Sequence, residues 1–422
     1  MSDMLKGRSP RPYQPGRAGG YGPTKGGWRA FHPKPLPPNP PLELSSELLS
    51  ALLEASTELG RLDGVAEILP DPDFFVYSYV RKEAVLSSQI EGTRSSLVDV
   101  LEFEAGAERR TYPRDVHEVV NYIRALNTAL RRVRGGEPVS LALLKETHDA
   151  LLQGVRGGGD EPGQLKTKQN WIGPLGSSPA TADYIPPPPE ETPAAMNSLI
   201  SYIQSEASNP PLLRASFVHS QFETIHPFLD GNGRIGRLLV TLLLAKWGLL
   251  RRPVLYLSYF FLKNRDEYTR RLQGVRDDGD WEGWVEFFLR GVLETSTQAT
   301  ETARRILSLR SDHESQVVRT LGVSRAGSGQ ALVRQLFRQP VVSINDVTKL
   351  LGVSFPTAGN LVDDFVRLGL LVEITGQKRN RYFRYQPYID VLQYDAPVAP
   401  GGGSSRVGNS RNLRSRHSTA VP

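Results

Sequence analysis

Two apolar segments with helical periodicity flank one short polar loop near the middle of the chain. Before the loop, apolar residues recur at intervals of three and four, at Ala215, Val218, Phe222 and Ile225. This is the spacing of one helix face. After the loop, Leu238 to Leu250 is apolar on nearly every side, which is typical of a helix surrounded by other helices. The sequence therefore predicts a helical core whose buried central helix begins just after this loop.

The loop and the helical turn after it, HPFLDGNGRIGR at residues 226–237, raise the question of a nucleotide site. Residues 231–236 satisfy the GxGxxG pattern of dinucleotide-binding proteins, which requires a strand directly before the glycines and a helix after them. Here a helix precedes the glycines. The dinucleotide-binding arrangement is therefore excluded.

The start of the second helix has the features of an anion site. A helix N-terminus presents unpaired backbone amides and the positive end of a dipole, and Gly231 and Gly233 would let a phosphate approach that backbone closely. Arg234 and Arg237 are neighbours on the helix surface, where their guanidinium groups suit further phosphate oxygens. Because one anion would not need both arginines, the pattern predicts a polyphosphate ligand.

Two further residues of the loop predict a reaction. Asp230 is a single carboxylate that could hold Mg²⁺ already coordinated by phosphates. His226 has a side chain that titrates near neutral pH and suits a general base. With no cysteine in the chain, the base is expected to deprotonate a hydroxyl that receives a group from a Mg²⁺-nucleotide. His219 lacks further ligands at metal-binding spacing and is predicted to pack in the core.

Composition limits the class of protein. The 422-residue chain has no cysteine, which excludes disulfide scaffolds and thiolate metal sites. Its start lacks the apolar stretch of a signal peptide, and the longest apolar run, Leu238 to Leu250, is interrupted by Thr241 and Lys246. The sequence predicts a cytoplasmic protein with no membrane partner.

The net charge of +6 comes from the two ends of the chain. Residues 1–40 hold seven Lys or Arg against one acid, and residues 401–422 hold four Arg and no acid. Both ends are rich in Gly, Pro or Ser and poor in large apolar residues, which predicts disorder for residues 1–40 and 396–422. The charge thus gives only weak support for nucleic-acid binding.

Between these ends the periodicity predicts three units. Residues 41–110 form an N-terminal helical segment, and residues 111–310 form the helical core. Within the core, residues 163–189 place turn residues between two short extended runs, the pattern of a β-hairpin. The third unit is formed by residues 319–392.

This third unit resembles a winged helix-turn-helix domain, because it predicts three helices followed by a two-stranded hairpin. The last of its helices offers small polar side chains to DNA bases, at Ser354, Thr357 and Asn360. The same helix carries Asp363 and Asp364, which would repel phosphate. This pattern favours a dimer or partner surface over DNA binding.

The twelve residues at 226–237 resemble the HPFx(D/E)GNGRxxR motif of the Fic family, with every defining position present. The resemblance implies an all-α core with a small β-hairpin flap, and transfer of AMP from ATP to a Ser, Thr or Tyr hydroxyl of a target protein. It implies that His226 is the catalytic base and that Asp230 binds Mg²⁺. The nucleotide would be bound by Gly231, Asn232, Gly233, Arg234, Gly236 and Arg237.

A second segment, SSQIEG at residues 87–92, resembles the inhibitory (S/T)xxxE(G/N) motif of many Fic proteins, with Ser87 and Glu91 in the defining positions. The resemblance implies that Glu91 binds Arg237 and displaces the ATP γ-phosphate from its productive position. One carboxylate and one phosphate would compete for the same guanidinium group. The alternative is a surface contact between Glu91 and Arg94.

Two other segments are similar to parts of the family that bind substrates. The predicted hairpin at 163–189 resembles the flap that positions the target segment by strand-like pairing. Downstream, Asn264, Tyr268 and Trp284 are predicted to line the adenine pocket. Many members have two adjacent tyrosines where this chain has Tyr268 and Thr269.

The leading hypothesis is an autoinhibited protein adenylyltransferase that uses ATP and Mg²⁺, modifies a target protein or itself, and could form a homodimer. One alternative is removal of AMP from a modified protein by the same site. Transfer of UMP, or phosphoryl transfer as in Doc toxins, is disfavoured by the intact GNGR sequence at residues 231–234. A third alternative is a DNA-binding regulator in which the winged helix dominates.

Overall fold

The computed structural model describes residues 16–68, 72–107, 112–155, 161–174, 176–206 and 208–393. The first fifteen residues and the predicted tail at 396–422 lie outside the described residues. The described chain is mostly helical with two small antiparallel sheets. None of its helices combines the length and the apolar composition needed to cross a membrane.

Eleven of the helices in the described ranges form the core and its N-terminal segment. In chain order they are α1 (Ser46–Ile68), α2 (Pro72–Ile90), α3 (Leu97–Glu104), α4 (Val116–Arg134), α5 (Leu141–Leu152), α6 (Thr192–Gln204), α7 (Pro211–Ile225), α8 (Asn232–Lys246), α9 (Ser258–Lys263), α10 (Arg265–Asp278) and α11 (Trp281–Leu321). The loop between α7 and α8 is the polar loop of the motif. Helix α8 packs against α2, α4, α5 and α7, which places the motif in the middle of the core.

The prediction of a buried central helix is confirmed. Helix α8 is buried without interruption from Arg234 to Leu244, as its nearly uniform apolar sequence requires. It ends at Lys246 rather than at Leu250, because the chain turns at Gly248, whose φ of 71° lies in the left-handed region.

A single long helix joins the core to the C-terminal unit. Helix α11 runs for 41 residues from Trp281 to Leu321, packing along α1 at one end and against α12 and α15 at the other. The predicted boundary between residues 310 and 319 falls inside this continuous helix. The core and the C-terminal unit share this helix instead of being joined by a linker.

The C-terminal unit contains four helices and three strands: α12 (Val323–Arg338), β3 (Val341–Ser343), α13 (Ile344–Leu351), α14 (Phe355–Arg367), β4 (Leu371–Glu373), β5 (Tyr382–Tyr385) and α15 (Gln386–Gln393). Strand β5 is central and antiparallel to both β3 and β4. The predicted three helices are α12, α13 and α14, and the predicted hairpin is formed by β4 and β5. Strand β3 was not predicted from the sequence. Ser343 ends β3 and begins α13 with a capping box formed with Asp346.

The described part of the N-terminal segment, residues 16–40, departs from the prediction of disorder. Residues 16–40 are ordered and contain a hairpin of β1 (Gly19–Pro23) and β2 (Arg29–Pro33). Phe31 of β2 is fully buried, and its amide donates a hydrogen bond to Ile185 O at 2.9 Å. Composition predicts this segment wrongly because a few buried anchors, provided by the core, offset the entropy of ordering it.

Arg17 is the polar anchor of this N-terminal segment. Its guanidinium group makes two hydrogen bonds to the carboxylate of Glu282, at 2.8 and 2.9 Å, and two to the carbonyls of Pro40 and Pro41, at 2.8 and 2.7 Å. The side chain is only 2% exposed. Such charge-assisted bonds are strong where water is excluded.

Replacing Arg17 by alanine should lower the free energy of unfolding by about 2 kcal/mol, because it removes charge-assisted hydrogen bonds and leaves the Glu282 carboxylate with only the amide of Glu43 as a donor. Urea unfolding measures the loss, and limited proteolysis should show faster cleavage before residue 45. Lys25→Ala is the matched control, since Lys25 is 92% exposed and contacts only Glu190 at 3.6 Å among the described residues. Equal stability of the two variants would contradict the anchoring role.

The predicted hairpin at 163–189 is largely irregular. In the described part of this segment, one antiparallel bridge joins Ile172 to Tyr184, through hydrogen bonds of 2.8 and 3.0 Å between their backbone groups. The two short extended runs of the sequence thus meet at a single residue pair. Residues 163–189 are called the flap.

Candidate active site

The motif begins at a strained residue that ends α7. His226 adopts the left-handed backbone conformation, with φ of 48°, and its amide donates to Phe222 O at 2.9 Å. Non-glycine residues in this region often lie at functional sites. The loop is then closed by Asn232, whose side chain accepts from Phe228 N and donates to Phe228 O, each at 2.8 Å. Both polar atoms of this side chain thus make hydrogen bonds within the loop.

The flap holds the same loop from the other side. Asn170 Nδ2 donates to the backbone carbonyls of His226 and Phe228 at 3.0 and 2.7 Å. Lys166 Nζ in turn donates to Asn170 Oδ1 at 2.9 Å, and burial lowers the pKa of Lys166 to about 7. The flap therefore fixes the position of the predicted base, a role for Lys166 and Asn170 that sequence reasoning missed.

A second histidine, His148 of α5, supports the loop at Asp230. His148 Nδ1 accepts from Gly163 N at 2.9 Å, so Nε2 carries the proton and donates to Asp230 O at 3.0 Å. Its ring stacks on Phe228 with centroids 3.8 Å apart. The backbone of Asp230 is thus fixed, while its carboxylate remains 40% exposed beside the start of α8.

The predicted base lies in an electropositive and mostly buried position. The His226 side chain is 18% exposed, and Nδ1 has no hydrogen-bond partner among the described residues. Burial, together with the positive charges of Lys166 and Arg276, lowers the pKa of His226 to about 3. The imidazole is therefore neutral at neutral pH and able to accept a proton.

A carboxylate occupies the predicted anion site at the first turn of α8. A Cβ atom added to Gly233 would lie 2.2 Å from Glu91 Oε1 and 2.9 Å from Arg237 Nη1. Glycine is therefore required for Glu91, which follows α2, to approach the helix so closely. The turn that should receive a phosphate instead contacts this carboxylate.

Arg237 binds both predicted inhibitory residues. Its Nη2 donates to Glu91 Oε1 at 2.5 Å and to Ser87 O at 3.0 Å, while Nε donates to Ser87 Oγ at 2.9 Å. Burial opposes ionisation of Glu91, but the guanidinium outweighs it and holds the pKa of this carboxyl below its usual range. The contact expected between Glu91 and Arg237 is present, and Glu91 pairs with Arg237 instead of Arg94.

Arg234 lies deeper than its neighbour. It is 1% exposed, and its Nη1 donates to Glu118 Oε2 of α4 at 3.1 Å. Its Nη2 lies 3.7 Å from Asp230 Oδ1. Arg234 thus connects the predicted metal ligand to α4, a role of Glu118 that no sequence pattern predicts.

The three residues predicted to line the adenine pocket make contacts within the protein. Trp284 is fully buried and donates its indole N–H to a backbone carbonyl of α7 at 2.8 Å. The hydroxyl of Tyr268 is 2.8 Å from His219 Nε2, and its ring stacks on Phe261. Asn264 Nδ2 donates to a carbonyl within α9 at 2.9 Å. The helical spacing of these rings places them against α7, where they pack in the core with His219.

Glu223 is a further buried group that sequence reasoning missed. A Cβ atom on Gly236 would lie 2.2 Å from Glu223 Oε1, so this glycine lets α7 and α8 meet at the carboxyl group. Oε1 has no hydrogen-bond partner in the described residues, and Oε2 lies 4.0 Å from His226 Nδ1. Burial raises the pKa of Glu223 to about 7. Glu223 precedes His226 by three residues, a spacing that places two side chains close together on one helix face.

Comparison with known proteins agrees with the motif. Residues 49–131 match the Fic/DOC family N-terminal domain, and residues 138–244 match the Fic/DOC family domain. The chain is 27% identical over 220 residues to the probable protein adenylyltransferase aq_aa38 of Aquifex aeolicus (strain VF5), which covers 51% of this chain and 60% of that protein. It is 28% identical over 181 residues to protein adenylyltransferase fic-1 of Caenorhabditis elegans, covering 41% and 32%. The matches thus span less than two thirds of these curated relatives.

A solved structure shows the same fold. The crystal structure of a Fic family protein from Desulfovibrio desulfuricans G20 matches with a TM-score of 0.53 and 23% identity, over 82% of this chain and 98% of that chain. Glu91 lies in the first matched domain and Arg237 in the second. The second domain also contains the complete loop from His226 to Arg237. Residues 49–131 and 138–244 of this chain thus belong to the Fic/DOC family.

Proposed function

We propose that this chain is a protein adenylyltransferase that transfers AMP from ATP to a Ser, Thr or Tyr hydroxyl of a target protein, and that Glu91 holds it inactive. Family membership and the names of its relatives support the reaction class. The observation that carries the proposal is the contact of Glu91 with both Arg237 and the first turn of α8. A carboxylate there occupies the position where the motif would bind phosphate.

The transfer requires one proton to move. The hydroxyl oxygen of the target attacks the α-phosphorus of ATP, the bond to the bridging oxygen breaks, and pyrophosphate leaves. His226 accepts the hydroxyl proton, since its imidazole is neutral and held by the flap through Asn170. The amides of the first turn of α8, with Arg234 and Arg237, stabilise the phosphate charge.

The position of Asp230 fits a ligand of the Mg²⁺ that such a reaction uses. The described ranges contain no group of three or more side chains that could hold a metal. Mg²⁺ bound with ATP needs only one or two protein carboxylates, because phosphates and water supply the other ligands. Asp230 meets this need with an exposed carboxylate beside the phosphate site. When bound, the ion would neutralise phosphate charge.

The test uses ATP labelled at either the α- or the γ-phosphate, with Mg²⁺ and the Glu91→Gly variant. We expect label from the α-phosphate to be incorporated into protein, including the chain itself, and label from the γ-phosphate to be absent. Incorporation of γ-label alone would show phosphoryl transfer. Incorporation of label from the α-phosphate of UTP but not of ATP would show that the transferred group is UMP instead of AMP.

The pH dependence of transfer should report on Glu223. As pH rises through about 7, this carboxyl loses its proton, and the anion favours the imidazolium form of His226, which makes the imidazole a stronger base. We expect kcat/KM of the Glu91→Gly variant to rise roughly ten-fold over this range. Glu223→Gln in the same background should remove the part of the rise that Glu223 causes and leave the part caused by deprotonation of Lys166, whose pKa burial also lowers to about 7.

The groups that face His226 and Glu223 include Lys166, Arg276 and Arg237. The charges of Arg276 and Arg237 persist over this range, whereas Lys166, whose pKa is lowered by burial to about 7, loses its proton in both variants, so the difference between the two profiles belongs to Glu223. The matched control is Glu83→Gln, because burial also raises the pKa of Glu83 to about 7 while its carboxylate accepts from Ser258 N at 3.1 Å. A profile that is unchanged by Glu223→Gln, or changed equally by Glu83→Gln, would contradict the role of Glu223.

The C-terminal unit is proposed to be a winged helix-turn-helix. The order of its helices and strands supports this assignment, with α13 and α14 as the helix pair and the β4–β5 loop as the wing. The assignment leads to a second activity that does not depend on AMP transfer.

A further inference from the structure

The exposed side of the C-terminal unit has a surface that AMP transfer does not use. We define the α14 surface as the exposed residues of α14 together with the loop at 374–381 between β4 and β5. We propose that this surface binds duplex DNA. The proposal is independent of the reaction at His226.

The α14 surface faces away from the rest of the chain. Helix α14 packs on α13 and β4 through its buried residues Ala358, Leu361, Val362 and Phe365. Its opposite side is exposed, at Ser354, Thr357 and Asn360. The unit is attached to the core elsewhere, where Tyr388 Oη lies 2.5 Å from Ser78 Oγ and Arg384 donates to Glu102 at 2.9 Å. The exposed side of α14 is therefore open to a ligand.

The two acidic residues of α14 repel phosphate less than the sequence suggests. Asp364 is only 5% exposed and is ion-paired with both Arg325 and Arg367. Asp363 is exposed, but its Oδ1 lies 3.8 Å from Arg381 Nη2. Each carboxylate is thus paired with a guanidinium group of the same unit. The sequence could not show this, because Arg325 and Arg381 are distant along the chain.

The wing loop adds positive charge. At the base of the loop, the carboxylate of Glu373 accepts hydrogen bonds from the amides of Thr375 and Gly376 at 2.9 and 3.0 Å. Lys378 and Arg379 at the tip are exposed and have no ion pair in the described part of the chain. These two side chains are therefore available to bind the phosphates of a duplex.

Charge favours DNA over a second copy of the chain. Exposed Phe355 and Val366, at 53% and 39%, would suit a protein partner. In a two-fold dimer, however, the surface would pair with a copy of itself, so both sides of the interface would carry the unpaired positive charges of Lys378 and Arg379. A helix of 13 residues with small polar side chains at its N-terminal end fits the major groove of a duplex.

The experiment measures binding of the full chain to a fluorescent mixed-sequence duplex by anisotropy, at several salt concentrations. We expect the double variant Lys378→Glu, Arg379→Glu to bind at least about ten-fold more weakly and to lower the salt slope by roughly two. The matched control is Arg131→Glu, Arg304→Glu, which makes the same charge change at exposed residues of α4 and α11. All three proteins keep the basic ends of the chain, and their thermal unfolding is compared to verify folding.

Two outcomes would overturn the proposal. One is equal weakening by the two double variants, which would mean that total charge or the tails bind DNA instead of the α14 surface. The other is no binding of the wild-type chain at low salt. If light scattering then shows a dimer that Phe355→Ser converts to a monomer, the surface binds a second copy. AMP transfer is assayed separately, so neither outcome bears on the reaction at His226.

Discussion

Glycine in place of Glu91 should raise the rate at which this chain transfers AMP by on the order of 100-fold. In the wild type, the Glu91 carboxylate takes a hydrogen bond from Arg237 and occupies the turn at Gly233. Its removal frees both the guanidinium group and the backbone amides for phosphate. Incorporation of label from the α-phosphate of ATP, measured over time with Mg²⁺, gives the rate.

Two further variants separate charge from size and position. Glu91→Gln keeps the size of the side chain but removes its charge, so it should be partly active. The control is Glu104→Gly, which removes a different glutamate that is also paired with an arginine, Arg81 of α2 at 2.6 Å. This variant should be as inactive as the wild type. Tighter ATP binding should accompany the activation by Glu91→Gly. A variant that binds ATP more tightly yet transfers nothing would refute AMP transfer while leaving the competition between Glu91 and phosphate intact.

Alanine in place of His226 should reduce AMP transfer by at least about 1000-fold when it is combined with Glu91→Gly. The loss follows from removing the proton acceptor. ATP binding should change little, because the predicted phosphate contacts come from Arg234, Arg237 and the first turn of α8. Single-turnover incorporation of label measures the transfer, and equilibrium binding of ATP measures the site.

The control is His32→Ala, since His32 is a partly exposed histidine of β2 whose Nδ1 lies 2.7 Å from Glu191. It should transfer AMP as fast as the parent. Retained transfer by His226→Ala would show that His226 is not the base. If Glu91→Gly abolishes removal of AMP from a modified protein that the wild type performs, the site works in the opposite direction and Glu91 would serve that reaction.

Residues that act within one short segment could be predicted before the structure. The loop from His226 to Arg237, the buried helix after it and the helices of the C-terminal unit all follow from local spacing. The pairing of Glu91 with Arg237 was expected through a family resemblance, because 146 residues separate the two along the chain. Physical reasoning from either segment alone leaves the partner of Glu91 undecided.

Other residues near the site gave no such signal. Lys166, Asn170, His148 and Glu118 lie outside the motif, yet they hold its backbone or its arginine. Trp284 and Tyr268, which the family resemblance predicts at the nucleotide, are buried, with Trp284 bonded to a carbonyl of α7 and Tyr268 stacked on Phe261. Aromatic residues at helical spacing mark a buried face without showing which helix covers it.

The sequence by itself determined the helical core, the buried helix α8 and the loop that begins it, because the period of apolar residues and the conformational freedom of glycine are local properties. Only the tertiary structure decided that residues 16–40 are ordered, that α11 joins the core to the C-terminal unit, and that α14's acids are paired. These depend on contacts between distant segments, in which the burial of Phe31 or the neutralisation of Asp364 is provided by groups elsewhere in the chain.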